Sequence, residues 1–368
     1  MIAIQPLIAA ALAVSLVALV PAQPARSQSV AMNLLQVERG EVKIKKPQWK
    51  TYRKATTGAL LHPDDFLQLS SGASASLMCG TTKKWKPTPG KEVKVSEGCP
   101  RGTASRPRAV ARAQTRAVSY PFPYILSPRN TNILSARPLL KWNPVAGTRL
   151  YTVQLQAITG DELTWRTETA DSQVAYGGEP LKPGARYLLT VETDQKAKST
   201  AEAGVTLAFS LLPTDKAKAV AGEIAAIKQQ GLSPEGEALA LAYLYEGYNL
   251  KAEAIALLEP LVQQKSENPI VYGLLGDFYL QTQLSQKALA AYQQALTLAQ
   301  KSGDLEGEGS AQAGLGEANF GLGKTEEALA WLQKAQASYQ ALGDEDQGQV
   351  LAARIEEVKE KIEKMKKN

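Results

Sequence analysis

The sequence predicts a multidomain fold: an N-terminal all-β module, a β-sandwich, and then an all-α solenoid of stacked two-helix units. Three observations carry this. Period-2 alternation dominates the first third of the chain. Aromatic strand-like runs separated by Gly and Pro fill the middle. Beyond residue 213 the composition shifts to Ala, Leu, Gln, Glu and Lys with helical periodicity. The 368 residues, 44% hydrophobic and 21% charged, suit about two or three globular domains and exclude a disordered or collagen-like chain.

The chain opens on an address. Residues 7–20, LIAAALAVSLVALV, carry no charge. A bilayer span needs roughly 20 apolar residues, so this shorter run reads as the core of a secretory signal over residues 1–27. Ala25-Arg26-Ser27 offers the cleavage site; the alternative is an uncleaved anchor. No later segment approaches spanning length. The mature protein is therefore expected to be exported, in the periplasm or cell envelope, without an integral membrane span. In an oxidising compartment Cys79 and Cys99 are expected to pair, stapling two neighbouring strands and closing the loop between them. A reactive thiol is the lesser alternative, since no CxxC pair is present.

Charge divides the chain. Lys+Arg minus Asp+Glu is 2 − 2 = 0 over residues 1–42, 16 − 4 = +12 over 43–118, 9 − 8 = +1 over 119–214 and 15 − 22 = −7 over 215–368, which sum to the net +6. A basic front and an acidic back suggest different partners for the two ends.

The front alternates at Glu41-Val42-Lys43-Ile44-Lys45, Ser74-Ala75-Ser76-Leu77-Met78 and Lys91-Glu92-Val93-Lys94-Val95, hence β. Gly58, Leu61, Asp65, Leu67 and Ala75-Ser76-Leu77, with Asp64 in place of a Gly, resemble the periplasmic FecR-type domain over residues 36–100. The resemblance implies a small β-rich module. Residues 101–118 hold five arginines and no acid. They read as a basic linker, or as a contact to an anionic envelope polymer.

The middle, residues 121–212, shows strand-like runs at Leu139–Trp142, Tyr151–Gln156, Leu163–Trp165, Tyr187–Val191 and Val205–Phe209, the spacing of a sandwich. Leu181-Lys182-Pro183-Gly184-Ala185-Arg186-Tyr187 resembles the fibronectin type III signature, with Trp142 and Tyr151 at its early-strand aromatic positions. That resemblance implies a Tyr187 hydroxyl bonded to the backbone at a corner, and spacing rather than chemistry.

Over residues 214–366 the chain repeats. Ala242, Gly276 and Gly316 lie 34 and 40 residues apart. So do Ala254, Ala288 and Ala328, then Leu258, Tyr292 and Leu332, then Leu261, Ala295 and Ala335. Small residues recurring so let paired helices approach closely. The pattern resembles the tetratricopeptide repeat, with units near 235–268, 269–308 and 309–348 and flanking helices at 214–230 and 345–366. Pro260 is expected to kink its helix. The family's groove positions fall on Tyr243 and Glu246, Asp277 and Leu280, Glu317 and Phe320. None is Lys or Arg, so the implied guest is a basic or apolar peptide rather than a C-terminal carboxylate. The alternative is a merely solvated face.

Little else points to chemistry. One histidine and two cysteines exclude a His-rich metal centre and leave His62 as the only imidazole base. No catalytic, metal or cofactor residues are expected. Gly321-Leu322-Gly323-Lys324-Thr325 imitates a phosphate loop, but a helix precedes it where a strand is needed. Asp64-Asp65 and Asp161-Glu162 are adjacent acids that read as turns. Lys45, Lys46, Trp49, Lys50, Tyr52, Arg53 and Lys54 interleave cations with aromatics. Export argues against nucleic acid, leaving sugar rings or a plain basic β-surface. The expected function is an exported non-enzymatic scaffold holding a protein or peptide in the groove. The alternative is an envelope-polymer (peptidoglycan or anionic glycan) binder acting through residues 43–118.

Overall fold

The computed structural model describes residues 33–99, 122–159, 164–201 and 207–367. The signal-like run, the basic linker and Asp161-Glu162 lie outside the described residues.

The N-terminal module contains β1 (Asn33–Arg39), β2 (Val42–Lys45), β3 (Arg53–Lys54), β4 (Phe66–Leu69), β5 (Ser74–Cys79), β6 (Lys83–Trp85), β7 (Glu92–Lys94) and the single turn α1 (Val95–Gly98). Its strands form two sheets, ordered β1-β5-β6 and β3-β2-β4-β7. Alternation fixes the register: Val42 and Ile44 lie opposite Leu69 and Leu67, and all four are buried. Cys79 and Cys99 form a disulfide. The expectation that it staples neighbouring strands is corrected. Cys79 ends a strand of one sheet and Cys99 follows the helical turn after β7 of the other, so the bridge ties sheet to sheet.

The middle holds β8 (Ile125–Ser127), β9 (Thr131–Ile133), β10 (Leu139–Trp142), β11 (Tyr151–Thr159), β12 (Thr164–Thr169), β13 (Gln173–Ala175), β14 (Arg186–Thr193) and β15 (Ala208–Leu211). A three-stranded sheet, β13-β10-β8, faces a five-stranded one, β12-β11-β14-β15-β9. Both contribute to one core, in which Trp142 meets Tyr151 edge-on at 5.4 Å between ring centroids. The Tyr187 ring is buried, and its hydroxyl accepts a 2.8 Å hydrogen bond from the Lys182 N–H.

Eight further helices follow: α2 (Thr214–Lys228), α3 (Pro234–Gly247), α4 (Lys251–Gln263), α5 (Pro269–Gln281), α6 (Ser285–Ser302), α7 (Leu305–Gly321), α8 (Thr325–Leu342) and α9 (Glu345–Lys367). Local chemistry sets their ends. Ser233 and Asn268, each followed by Pro, accept from the N–H groups of Gly236 (3.1 Å) and Ile270 (3.0 Å) to cap α3 and α5. Gly303 and Gly343 end α6 and α8 at φ 70° and 76°, a left-handed conformation that favours glycine. Asp304 then caps α7, accepting from Gly307 N–H at 2.9 Å. The Gly-Asp pairs 40 residues apart are thus helix joints. α4 runs on past Pro260 to Gln263. The third pair begins at Leu305, ahead of the expected 309.

The sandwich is bolted to the α3–α4 turn. Asn132 donates from its N–H to Asn249 O (2.8 Å) and from Nδ2 to Tyr248 O (2.9 Å). Lys251 donates from its N–H to Thr131 Oγ1 and from Nζ to Asn130 O, both at 2.8 Å. Backbone groups on both sides are thereby satisfied at the seam.

Candidate functional site

Small residues bring the helices together as the spacing predicts. Ala242, Ala254, Ala288, Ala328 and Ala335 are wholly buried. A Cβ placed on Gly276 would come within 2.8 Å of Tyr292, and one on Gly316 within 2.7 Å of Leu332. The α5–α6 and α7–α8 pairs close only because those Cβ atoms are missing.

The six groove positions divide by depth. Tyr243 and Glu246 are half-buried. Asp277 is buried and accepts from the Tyr292 hydroxyl at 2.5 Å, and Leu280 is 1% exposed. Glu317 is buried and takes a bidentate pair from Arg354 of α9, Nε to Oε1 at 2.7 Å and Nη2 to Oε2 at 2.8 Å. The same guanidinium lies 4.4 Å over the Phe320 ring. A merely solvated face does not describe these last four side chains. Asn319, where the repeat usually has an aromatic, is buried and donates from Nδ2 to Leu315 O (2.8 Å), one turn back.

The face presented by α3, α5 and α7 is not bare, because the β module sits on it. Tyr243 donates from its hydroxyl to Gly58 O (3.3 Å), and Asn268 from Nδ2 to Thr57 O (2.7 Å). Gly58 has φ +93°, and a Cβ there would strike Leu239 of α3. Its lack of a side chain serves both turn and contact. Ser233 donates from Oγ to Gln36 Oε1 at 3.0 Å, and Lys84 from Nζ to Gln230 O at 3.1 Å. Leu34 and Met78 belong to one apolar core with Leu239, Leu274 and Leu275, while Ala313 and Phe320 join the core of the β module. The packing is continuous across the seam.

Charge crosses it as well. Lys46, 8% exposed, pairs with Glu306 of α7 and lies 5.1 Å over the Trp49 ring. Burial works against its ammonium, but Glu306, Asp65 and Asp344 outweigh it, so its pKa stands above the ordinary lysine value. Burial pushes Asp65 up to about 6, against the 2.8 Å bond it accepts from His62 N–H and the attraction of Lys46. Burial likewise lifts Asp304 to about 6. The interleaved cations and aromatics at 45–54 are therefore not one basic surface: Lys46 and Trp49 are internal, Lys50 and Lys54 external.

Between the module and the helices a cleft of about 470 Å³ stays open. Ile44 and Lys54 bound it on one side, Tyr243, Gly273 and Leu274 on the other, with the exposed Asp346 at its rim. A mixed wall of this size at a domain interface suits a short chain segment.

The remaining motifs stay structural. Gly323-Lys324 forms the turn between α7 and α8, with helix before it. Asp64 pairs with Lys94 at 2.7 Å, which holds its carboxyl below the usual range. Among the described residues no group of three or more His, Cys, Asp or Glu could hold a metal. No described helix is long and apolar enough to cross a membrane.

Comparison with known proteins places the repeat region. Residues 268–341, from the start of α5 nearly to the end of α8, match the tetratricopeptide repeat family. A search of curated proteins finds no match. Two solved structures are similar over part of the chain. BtubC (BKLC) from P. vanneervenii is 15% identical, covering 40% of this chain and 74% of its own at a TM-score of 0.28. MamA MSR-1 C2 is 20% identical, covering 40% and 90% at 0.27. At these scores neither likeness informs the fold or the function.

Sequence reasoning missed the docking of the module on the helices. The opposed signs of charge in front and behind are consistent with it, and Lys46 and Glu306 are one such pair that meets.

Proposed function

We propose that the protein is an exported, non-enzymatic scaffold of the cell envelope that holds a basic segment of a protein partner in the cleft between β module and solenoid. The observation that carries this is the cleft itself, open beside tetratricopeptide-type helices and lined by six carboxylates against two lysines, Lys46 and Lys54, with Asp346 exposed. Of the six groove positions, Tyr243 and Asp277 line this cleft; Glu246, Leu280, Glu317 and Phe320 lie outside its lining. Affinity capture from envelope extract with the full mature chain tests it. Wild type should retain a specific partner, and Asp346→Lys should lose most of it. Equal capture by both would remove the cleft from the account.

The Cys79–Cys99 bridge and the apolar run at 7–20 support export. The two-sheet module and the Tyr187 corner support FecR-like and fibronectin type III-like relationships for the first two domains. The exposed Lys50, Lys54 and Lys91 favour a second reading, binding of peptidoglycan or another anionic polymer through residues 43–118. Retention on that polymer, lost when those three lysines become Glu, would select it.

A further inference from the structure

The seam between β module and solenoid contains more carboxylate than ammonium. Lys46 of the module is the cation at its centre. Around it stand Asp65 of the same module and Asp304, Glu306 and Asp344 of the solenoid. Lys46, Asp65 and Asp344 are each less than a tenth exposed. Asp65 and Glu306 face each other across the seam and repel. Backbone donors hold three of the acids: His62 N–H to Asp65 (2.8 Å), Gly307 N–H to Asp304 (2.9 Å) and Gln347 N–H to Asp344 (3.2 Å). One ammonium cannot neutralise four carboxylates, of which Asp65 and Asp344 are buried while Asp304 and Glu306 are half-buried at the edge of the cleft.

We propose that this seam is a pH-dependent clasp: the β module grips the helices tightly in mildly acidic medium and loosens as the carboxylates ionise, widening the cleft. Its consequence for partner capture rests on the cleft reading above; the clasp itself does not.

The direction follows from linkage. Asp65 and Asp304 titrate near 6 when docked, above the ordinary 3.8. Where undocking returns both carboxyls to water, the docked state is the one that binds extra protons, so docking is strongest below the ordinary value and weakens as pH rises through about 6; Lys46, facing Asp304 from the module, works against this. A gap of about two pH units allows each group up to roughly a hundredfold in the docking equilibrium. Other charged or titratable groups face the same space. They are Lys54, His62 and Asp64 on the module, Asp277 on α5, Tyr339 on α8 and Asp346 at the start of α9. Asp64 is committed to Lys94, Asp277 is bonded to Tyr292, and burial drives Tyr339 upward, away from this range. His62 also stands beside Asp65 and works against the rise in that carboxyl.

Hydrogen exchange of the full chain, followed by mass spectrometry and corrected for intrinsic rates, tests the clasp. Segment 55–62 and helices α3, α5 and α7 are read from about pH 5 to about pH 7.5, with β11 and β14 as internal reference. Protection on both sides of the seam should fall at least about tenfold across that range while the reference stays constant. Asp65→Asn with Asp304→Asn should abolish the dependence. Asn still accepts the His62 bond and still caps α7, so both variants should fold. His62→Gln should leave the slope in place. Protection that is flat in wild type, or that still falls in the double variant, overturns the clasp. Exchange does not report partner capture, so a failed cleft reading would show separately.

Discussion

Arg354 joins α9 to the repeat stack through two carboxylate bonds and one aromatic face. Glu317 and Phe320 carry the acceptors and the ring, both buried. Removing Glu317 leaves the buried Arg354 with Glu357, 2.8 Å from Nη1, as its remaining carboxylate. Glu317→Ala should cost about 3–5 kcal/mol in chemical denaturation, whereas Glu317→Met with Arg354→Met should be far milder. A small loss in the single variant would show the pair to be solvated. The family pattern gave Glu317 its position on α7 but was silent about Arg354, because α9 lies outside the repeat and no local spacing links the two. Gly58 shows the same limit. A family resemblance singled it out in sequence, but its contact with Leu239, some 180 residues away, was not legible there.

At the scale of elements, small residues set how closely helices approach. Gly276→Val should cost about 1–3 kcal/mol or more, since its Cβ would press on the Tyr292 ring. Thermal unfolding reads this directly, and an unchanged midpoint would mean the α5–α6 contact is slack. Elements with strong local signals were legible in sequence: alternation in β2, β5 and β7, and the 34- and 40-residue spacing of the helix pairs. Asn-Pro and Gly-Asp mark joints because capping uses only a few neighbouring atoms. Strands β8, β9 and β13 were missed. Each has three residues, too few for alternation to show, and they exist because longer partners offer them hydrogen bonds. The disulfide's partners were legible as well, but which strands it joins depended on sheet order.

For the molecule as a whole, three parts pack through two seams, one polar and one that joins apolar packing with charge. The sandwich–solenoid seam contains Glu253, which accepts from Leu134 N–H at 2.7 Å while its Oε2 is buried without a hydrogen-bond partner. Burial pushes its carboxyl up to about 7, above the ordinary 4.5. The sign follows: its contribution is complete below the ordinary value and is lost as pH rises through about 7. Glu253→Gln should therefore flatten the fall in melting temperature from about pH 6 to about pH 8, and gain most on wild type at the alkaline end. A parallel fall in both proteins would relieve Glu253 of that role. The other seam carries the central claim, that the β module rests on the helices of the repeat and leaves only a cleft. Opposed charges foreshadow it, but net charge cannot say whether two ends of a chain meet each other or separate partners.

Zero-length carbodiimide cross-linking of the full chain tests this claim most directly, because it joins only amines and carboxylates already in contact. Mass spectrometry should find Lys46 amide-linked to Glu306 and shielded from acetylation while Lys50 and Lys54 are modified. Lys46 acetylated as readily as Lys50, with no link to Glu306, would mean the module and the helices lie apart.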